Sequence, residues 1–127
     1  MLCPCCSTRA YQECCEPFHL KLAQAKTAEQ LMRSRYAAYV LQNIDYIVET
    51  TVPAQQSKLD RDAIQRWSEQ AQWLGLQVLK HKPITGVPQA KVEFEAHYQE
   101  NGERKTHHEI STFLKIQGRW YFKDPTV

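Results

Sequence analysis

Residues 92–116 read VEFEAHYQENGERKTHHEISTFLKI, and this stretch decides the fold. Val92, Phe94, Ala96 and Tyr98 alternate with Glu93, Glu95 and His97, the period of a strand that lays one face on a core. Asn101-Gly102 follows, a pair suited to the two left-handed positions of a tight hairpin turn. Alternation then resumes, with Ile110, Thr112, Leu114 and Ile116 on one face and Glu109, Ser111, Phe113 and Lys115 on the other. Two long antiparallel strands are expected.

Working outward, Gln117-Gly118 turns the chain into a last strand, Arg119 to Lys123, stopped by Pro125. Upstream, Leu74, Leu76, Val78 and Lys80 occupy alternate positions, with Gly75 as the expected bulge. Before Trp73 the period is helical. Thr27-Ala28-Glu29-Gln30 fits a capping box in which Thr27 caps the helix and Gln30 reaches back. Ala28, Leu31, Met32, Tyr36, Tyr39 and Val40 then form one stripe, which predicts a helix over 28–42. A shorter helical or mixed segment over 44–51 ends at Pro53. Ser57-Lys58-Leu59-Asp60 carries a second cap signal, and Ala63, Ile64, Trp67 and Ala71 form the apolar face of another helix. Helices followed by a meander of about four strands give an α+β fold, the sheet wrapped over the helices.

All five cysteines stand ahead of this pattern, in MLCPCCSTRAYQECC. Cys3 and Cys5 flank Pro4, while Cys14 and Cys15 are adjacent, so two close pairs sit at the ends of one short loop. Such pairs can converge on one ion, and four thiolates suit tetrahedral zinc (Zn2+). Arg9 in the intervening loop is expected to offset part of the charge of a four-thiolate centre. Unliganded thiols, a redox dithiol and an iron–sulfur cluster are the competing readings. A redox dithiol normally reads C-x-x-C ahead of a helix, which this spacing does not.

Length and composition set the remaining bounds. The chain has 127 residues, 43% of them hydrophobic and 24% charged, which suits one folded domain and excludes a disordered or fibrous chain. A net charge of +2 does not call for a nucleic-acid partner. No apolar run approaches the ~20 residues of a membrane span, and the first residues lack a signal-peptide core, so a cytoplasmic protein is expected. In that compartment clustered cysteines bind metal or do redox chemistry more often than they form disulfides.

The residues also carry a resemblance. Cys3-Pro4-Cys5, Ser7, Tyr11 and Cys14-Cys15 are similar to the SEC-C motif, a zinc-binding module known from the tail of the SecA translocation ATPase. Pro17 and His19, LMRSRYAAYV at 31–40, Asp45-Tyr46, Trp73-Leu74-Gly75-Leu76, His108-Glu109, Ser111, Phe113 and Gly118-Arg119-Trp120-Tyr121 extend it. Together they resemble the YchJ-like family of uncharacterised bacterial proteins. The resemblance implies a SEC-C motif over 1–20 and a nuclear transport factor 2-like domain over 21–127, a cone closed by a curved sheet. It implies zinc ligation by Cys3, Cys5, Cys14 and Cys15. The usual motif has glycine where this chain has Cys6 and Thr8, which predicts costly backbone angles there. Longer family members carry a second such motif after the cone; here the chain ends at Val127, so a function needing two modules in one chain is not expected.

A cone of this kind often holds a pocket. Arg33, Arg35, His97, His107, His108, Glu109 and Ser111 are the polar residues expected to have access to it. His108 and Glu109 are neighbours on a strand and face opposite ways; His97, His107 and Glu109 are expected to share a face. Trp67, Trp73 and Trp120 are expected in core packing. No phosphate loop, nucleophile elbow or zinc-protease motif is present, and no catalytic or cofactor-binding residue is assigned. The favoured function is therefore a non-enzymatic zinc-binding accessory protein. By family analogy its motif contacts a protein or ribosome-associated partner, and a homodimer is compatible with the sequence. The alternative is a small-molecule binder or enzyme using the cone.

Overall fold

A computed structural model describes all residues, 1–127. A 3-10 turn at Tyr11–Glu13 and a one-turn helix α1 (Glu16–His19) follow the first cysteines. Then come α2 (Ala28–Val40), α3 (Ile44–Glu49), α4 (Pro53–Gln56) and α5 (Arg61–Gln70). Four strands complete the chain: β1 (Gln72–Ile84), β2 (Gln89–Glu100), β3 (Glu103–Ile116) and β4 (Arg119–Lys123). They form one antiparallel sheet in chain order, curved and unclosed, so the expected α+β meander is the observed one.

The helix starts follow local chemistry. Thr27 caps α2 by accepting the Gln30 N–H at 3.1 Å, but Gln30 reaches the Lys26 N–H at 2.8 Å instead of that of Thr27. Within the Ser57–Asp60 signal the capping residue is Asp60, which accepts the Ala63 N–H at 3.0 Å. Pro53 begins α4 rather than merely ending what precedes it, as its missing N–H and fixed φ allow in a first turn. Helix α2 ends two residues short of Gln42, whose positive φ of 58° turns the chain towards the Asn43 cap of α3.

The hairpin of β2 and β3 pairs without interruption from Gln89↔Leu114 to Glu100↔Glu103, turned by Asn101 (φ 53°) and Gly102 (φ 80°). Strand β1 departs from the expected alternation. Its bulges fall at Leu74 and Leu79, because Trp73 pairs with Tyr98 and Gly75 with His97, then Val78 with Phe94 and Lys80 with Glu93. Each extra residue reverses the alternation. Trp73, Leu76 and Val78 thereby share the concave face, while Leu74, Leu79 and Lys80 leave it.

The core lies between α2 and that concave face: Leu31, Met32 and Tyr36 against Leu76, Val92, Phe94, Ala96 and Phe113. On β3 the buried face is the polar-looking one, with Ser111 and Phe113 inside and Ile110 57% exposed. At the far edge, β4 receives the chain after α3 as a short parallel bridge. Phe122 donates its N–H to the Thr50 carbonyl at 2.8 Å and accepts the Val52 N–H at 2.9 Å.

Candidate metal centre

The first ten residues fold back on themselves. Cys3 donates its N–H to Arg9 at 2.8 Å, and Tyr11 donates to Met1 at 3.0 Å, closing a small antiparallel bridge between Leu2 and Ala10. The 3-10 turn then carries Cys14 and Cys15 back to the Cys3–Cys5 bend. The four sulfurs of Cys3, Cys5, Cys14 and Cys15 all lie within 4.8 Å of one another. Cys5 Sγ is 3.6 Å from Cys14 Sγ, and Cys14 Sγ is 3.9 Å from Cys15 Sγ. A tetrahedron of sulfurs at ~2.3 Å from a central ion has edges of ~3.8 Å, so the donor set fits a metal ion of zinc size.

Burial and charge make the cluster suited to a cation. Cys3, Cys5 and Cys15 are buried, packed with Ala37 of α2. Hydrogen bonding from Cys15, joined by Ser7 and Cys14, holds the Cys5 thiol well below its ordinary value. Donating to Cys5 keeps Cys15 protonated, with burial adding to the effect, and burial pushes Cys3 up. Like charges crowd here, so without a cation one thiolate forms at the expense of the others. A divalent ion held by Cys3, Cys5, Cys14 and Cys15 would remove that constraint and take all four as thiolates.

Cys6 is outside this set. Its exposed sulfur lies 3.6 Å from the Pro4 carbonyl and accepts the Leu76 N–H of β1 at 3.4 Å. Cys6 (φ 65°) and Thr8 (φ 70°) both adopt the left-handed conformation, as the missing glycines imply. For β-branched Thr8 this costs of order 1–2 kcal/mol. Thr8→Gly is therefore expected to tighten metal binding about fivefold after the extra chain entropy of glycine is offset, measured by competition with a chromogenic chelator.

The cationic neighbour of the cluster is Arg33, not Arg9. Arg9 is exposed and makes no ion pair, whereas Arg33 Nη1 donates to the Cys5 carbonyl at 2.9 Å and its Nε pairs with Glu29 at 3.0 Å. His19 completes the attachment to α2. Its Nε2 lies 2.8 Å from the Ser34 carbonyl, so Nε2 carries the hydrogen, and Nδ1 accepts the Tyr11 hydroxyl at 2.6 Å. Its ring also packs edge-on to Tyr46 at 4.7 Å. No sequence signal marks this role, because the partner is a backbone carbonyl fifteen residues away.

Burial lowers the His19 pKa below the ordinary histidine value of ~6.5. The unfolded chain therefore binds a proton before the fold does. The contribution of His19 is complete above pH ~6.5 and is lost as pH falls from there towards the lower folded value. Histidine NMR should find His19 neutral, with hydrogen on Nε2, at pH values where the unfolded chain is already protonated.

The polar residues expected near a pocket divide. Arg35, His107, Glu109 and Ser111 border a cavity inside the cone; Arg33, His97 and His108 do not. His97 lies opposite Thr106, on the reverse face from His107, so it does not join His107 and Glu109 as expected; its Nδ1 is 3.0 Å from the Thr106 hydroxyl. His108 turns outward to Glu93 at 2.7 Å. Trp67 and Trp73 pack together at 5.2 Å with Tyr39 and Tyr98, and Trp120 lies against the core from β4.

Comparison with known proteins agrees with this geometry. Residues 27–125 match the family described as YchJ, middle NTF2-like domain. The chain is 54% identical over 126 residues to a UPF0225 protein of Actinobacillus succinogenes, covering 99% of this chain and 82% of that one. It is 53% identical over 125 residues to a UPF0225 protein of Haemophilus influenzae, covering 98% and 78%. Two solved structures superpose closely. One is the crystal structure of a SEC-C motif containing protein from Psychrobacter arcticus (TM-score 0.91, 43% identity, 98% of this chain and 81% of that one). The other is the solution structure of a SEC-C motif containing protein from Rhodopseudomonas palustris (TM-score 0.89, 42% identity, 98% and 96%). With the thiol cluster and the cone both in place, the chain belongs to the UPF0225 family, with the YchJ-type NTF2-like domain following its N-terminal cysteines.

Proposed function

We propose that the N-terminal cluster is a structural zinc site and that the protein is a non-enzymatic accessory factor, docking through that module onto a protein or ribosome-associated partner. The observation that carries this reading is the closed donor set. Four thiols from one chain fill a tetrahedron and leave no coordination position for a substrate. The SEC-C naming of the two structural neighbours supports the same assignment. Beside the cluster, Leu2 is 69% exposed, and the turn after α1 leaves Leu20 and Leu22 on the surface. Apolar side chains on a rigid metal-pinned module suit a docking surface.

Freshly purified, unoxidised protein should hold about one zinc per chain by elemental analysis. Immobilised protein should recover its partner from native extract only while zinc is bound. Metal content near zero, an iron–sulfur absorption, or the same partner recovered by residues 21–127 alone would sink the reading.

A further inference from the structure

Inside the cone, α2, α5 and the concave sheet face line a cavity of about 120 Å³ that is partly open to solvent. This is less than the ~150 Å³ that accepts benzene in another protein, so a larger single-ring guest has to use the open side as well. Its walls are aromatic, chiefly Tyr36, Tyr39, Trp73 and Phe94, and two residues of opposite charge, Arg35 and Glu109, also line it.

The basic residue is Arg35, 8% exposed and without any ion pair. Its Nη1 does all its bonding to protein: to the Ile47 carbonyl at 2.8 Å and to the hydroxyls of Thr50 and Thr51 at 2.7 and 3.4 Å. The guanidinium stacks on Phe122 at 4.4 Å. Nε and Nη2 donate to nothing in the protein, and the cavity is the free space that the residue borders. A buried cation without a carboxylate is costly, and a guanidinium fork with free hydrogens is matched by a planar oxyanion. Burial lowers the pKa of Arg35, and the more distant acidic groups, Asp124 and Glu109 among them, offset this only in part.

The acidic residue is Glu109, which accepts the Ser111 hydroxyl and lies 3.0 Å from His107 Nε2. A carboxylate held by two neighbours still has lone pairs for a donor from a guest. Among the aromatic walls, Trp73 Nε1 is the buried side-chain donor with no partner in the protein. Such orphans are rare, and this one belongs to a wall of the cavity.

We propose that the cone cavity is a binding site for a small aromatic carboxylate bearing a ring hydroxyl or amino group, its carboxylate on Arg35, its ring among the aromatic walls and its donor on Glu109. The site is independent of the metal module, so either assignment can fail without the other.

The test is a titration of full-length, nitrogen-15-labelled protein with para-hydroxybenzoate, following the three tryptophan indole signals. Trp67 and Trp73 should shift saturably while Trp120, outside the cavity, stays in place. Phenol, lacking the carboxylate, and benzoate, lacking the donor, should each bind about tenfold or more weakly. Arg35→Gln should remove carboxylate binding. Because Arg35 also ties α2 to α3, Glu109→Ala serves as the second variant and should erase the preference for para-hydroxybenzoate over benzoate. Three results would overturn the proposal: no saturable indole shift at millimolar ligand, phenol binding as tightly as para-hydroxybenzoate, or an unchanged preference in Glu109→Ala.

Discussion

Cys15→Ser should leave the protein without its metal, whereas Cys6→Ser should retain it. Cys15 is a buried member of the four-sulfur set, and a hydroxyl supplies neither the soft donor nor the charge that such a site needs. Changes in the outer shell of metal sites already cost 10- to 100-fold in affinity, so loss of a ligand should exceed ~100-fold. Cys14→Ser should behave like Cys15→Ser for the same reason. The structural readout separates module from cone. In hydrogen exchange, residues 1–20 should lose protection in Cys15→Ser, while β2 and β3, whose backbone ladder pairs strand with strand, keep theirs. Chelation of the wild-type chain should reproduce that pattern, as should acid, since binding releases the thiol protons. Metal retained by Cys15→Ser, or lost by Cys6→Ser, would contradict the division of the cysteines into four and one.

The largest effect expected on the cone itself is from Phe113→Ala. Phe113 is 1% exposed and packs against Phe122 at 5.7 Å, so its removal should destabilise the fold by about 3–5 kcal/mol. Ile110→Ala, on the reverse face of the same strand and 57% exposed, should stay within about 0.5 kcal/mol. Urea unfolding of the two variants measures the difference directly. Equal losses would mean that β3 carries its burden on both faces.

That pair also shows how far the sequence could be read. The alternation of β2, the Asn101-Gly102 turn and the stripe of α2 are local patterns, and local patterns survive into the fold unchanged. The orientation of β3 is different. Its outer face holds Ile110, Leu114 and Ile116, while its inner face mixes Phe113 with Glu109 and Ser111. Hydrophobic count alone does not choose the buried side, because that side contains the polar lining of a cavity. In β1 the bulges at Leu74 and Leu79 break the period-two pattern, and they show only against the register of the neighbouring strand.

The thiol cluster was legible because its four cysteines are close in sequence. Its attachment was not: Arg33 reaches a carbonyl of residue 5, and His19 reaches a carbonyl of residue 34. Backbone acceptors leave no residue-type signature, so contacts to them cannot be read from side-chain identity. Arg35 shares this property, since its partners are one carbonyl and two hydroxyls rather than an acid.

The bond from the Leu76 N–H to Cys6 Sγ bears on how the sheet ends. An open sheet has two edges, each a template for unwanted strand addition. At β4 the backbone of Thr50 and Val52 occupies Phe122. At β1 the strand carries Lys80, Lys82 and Pro83 towards its far end, and near its start a thiol takes the outward N–H. The one cysteine outside the four-thiol set is therefore an end-stop for the sheet, and it arrives there on the loop that joins the two cysteine pairs. If an ion pins that loop as proposed, its loss would loosen the knuckle and, in the same event, uncover part of an edge on which another chain could grow.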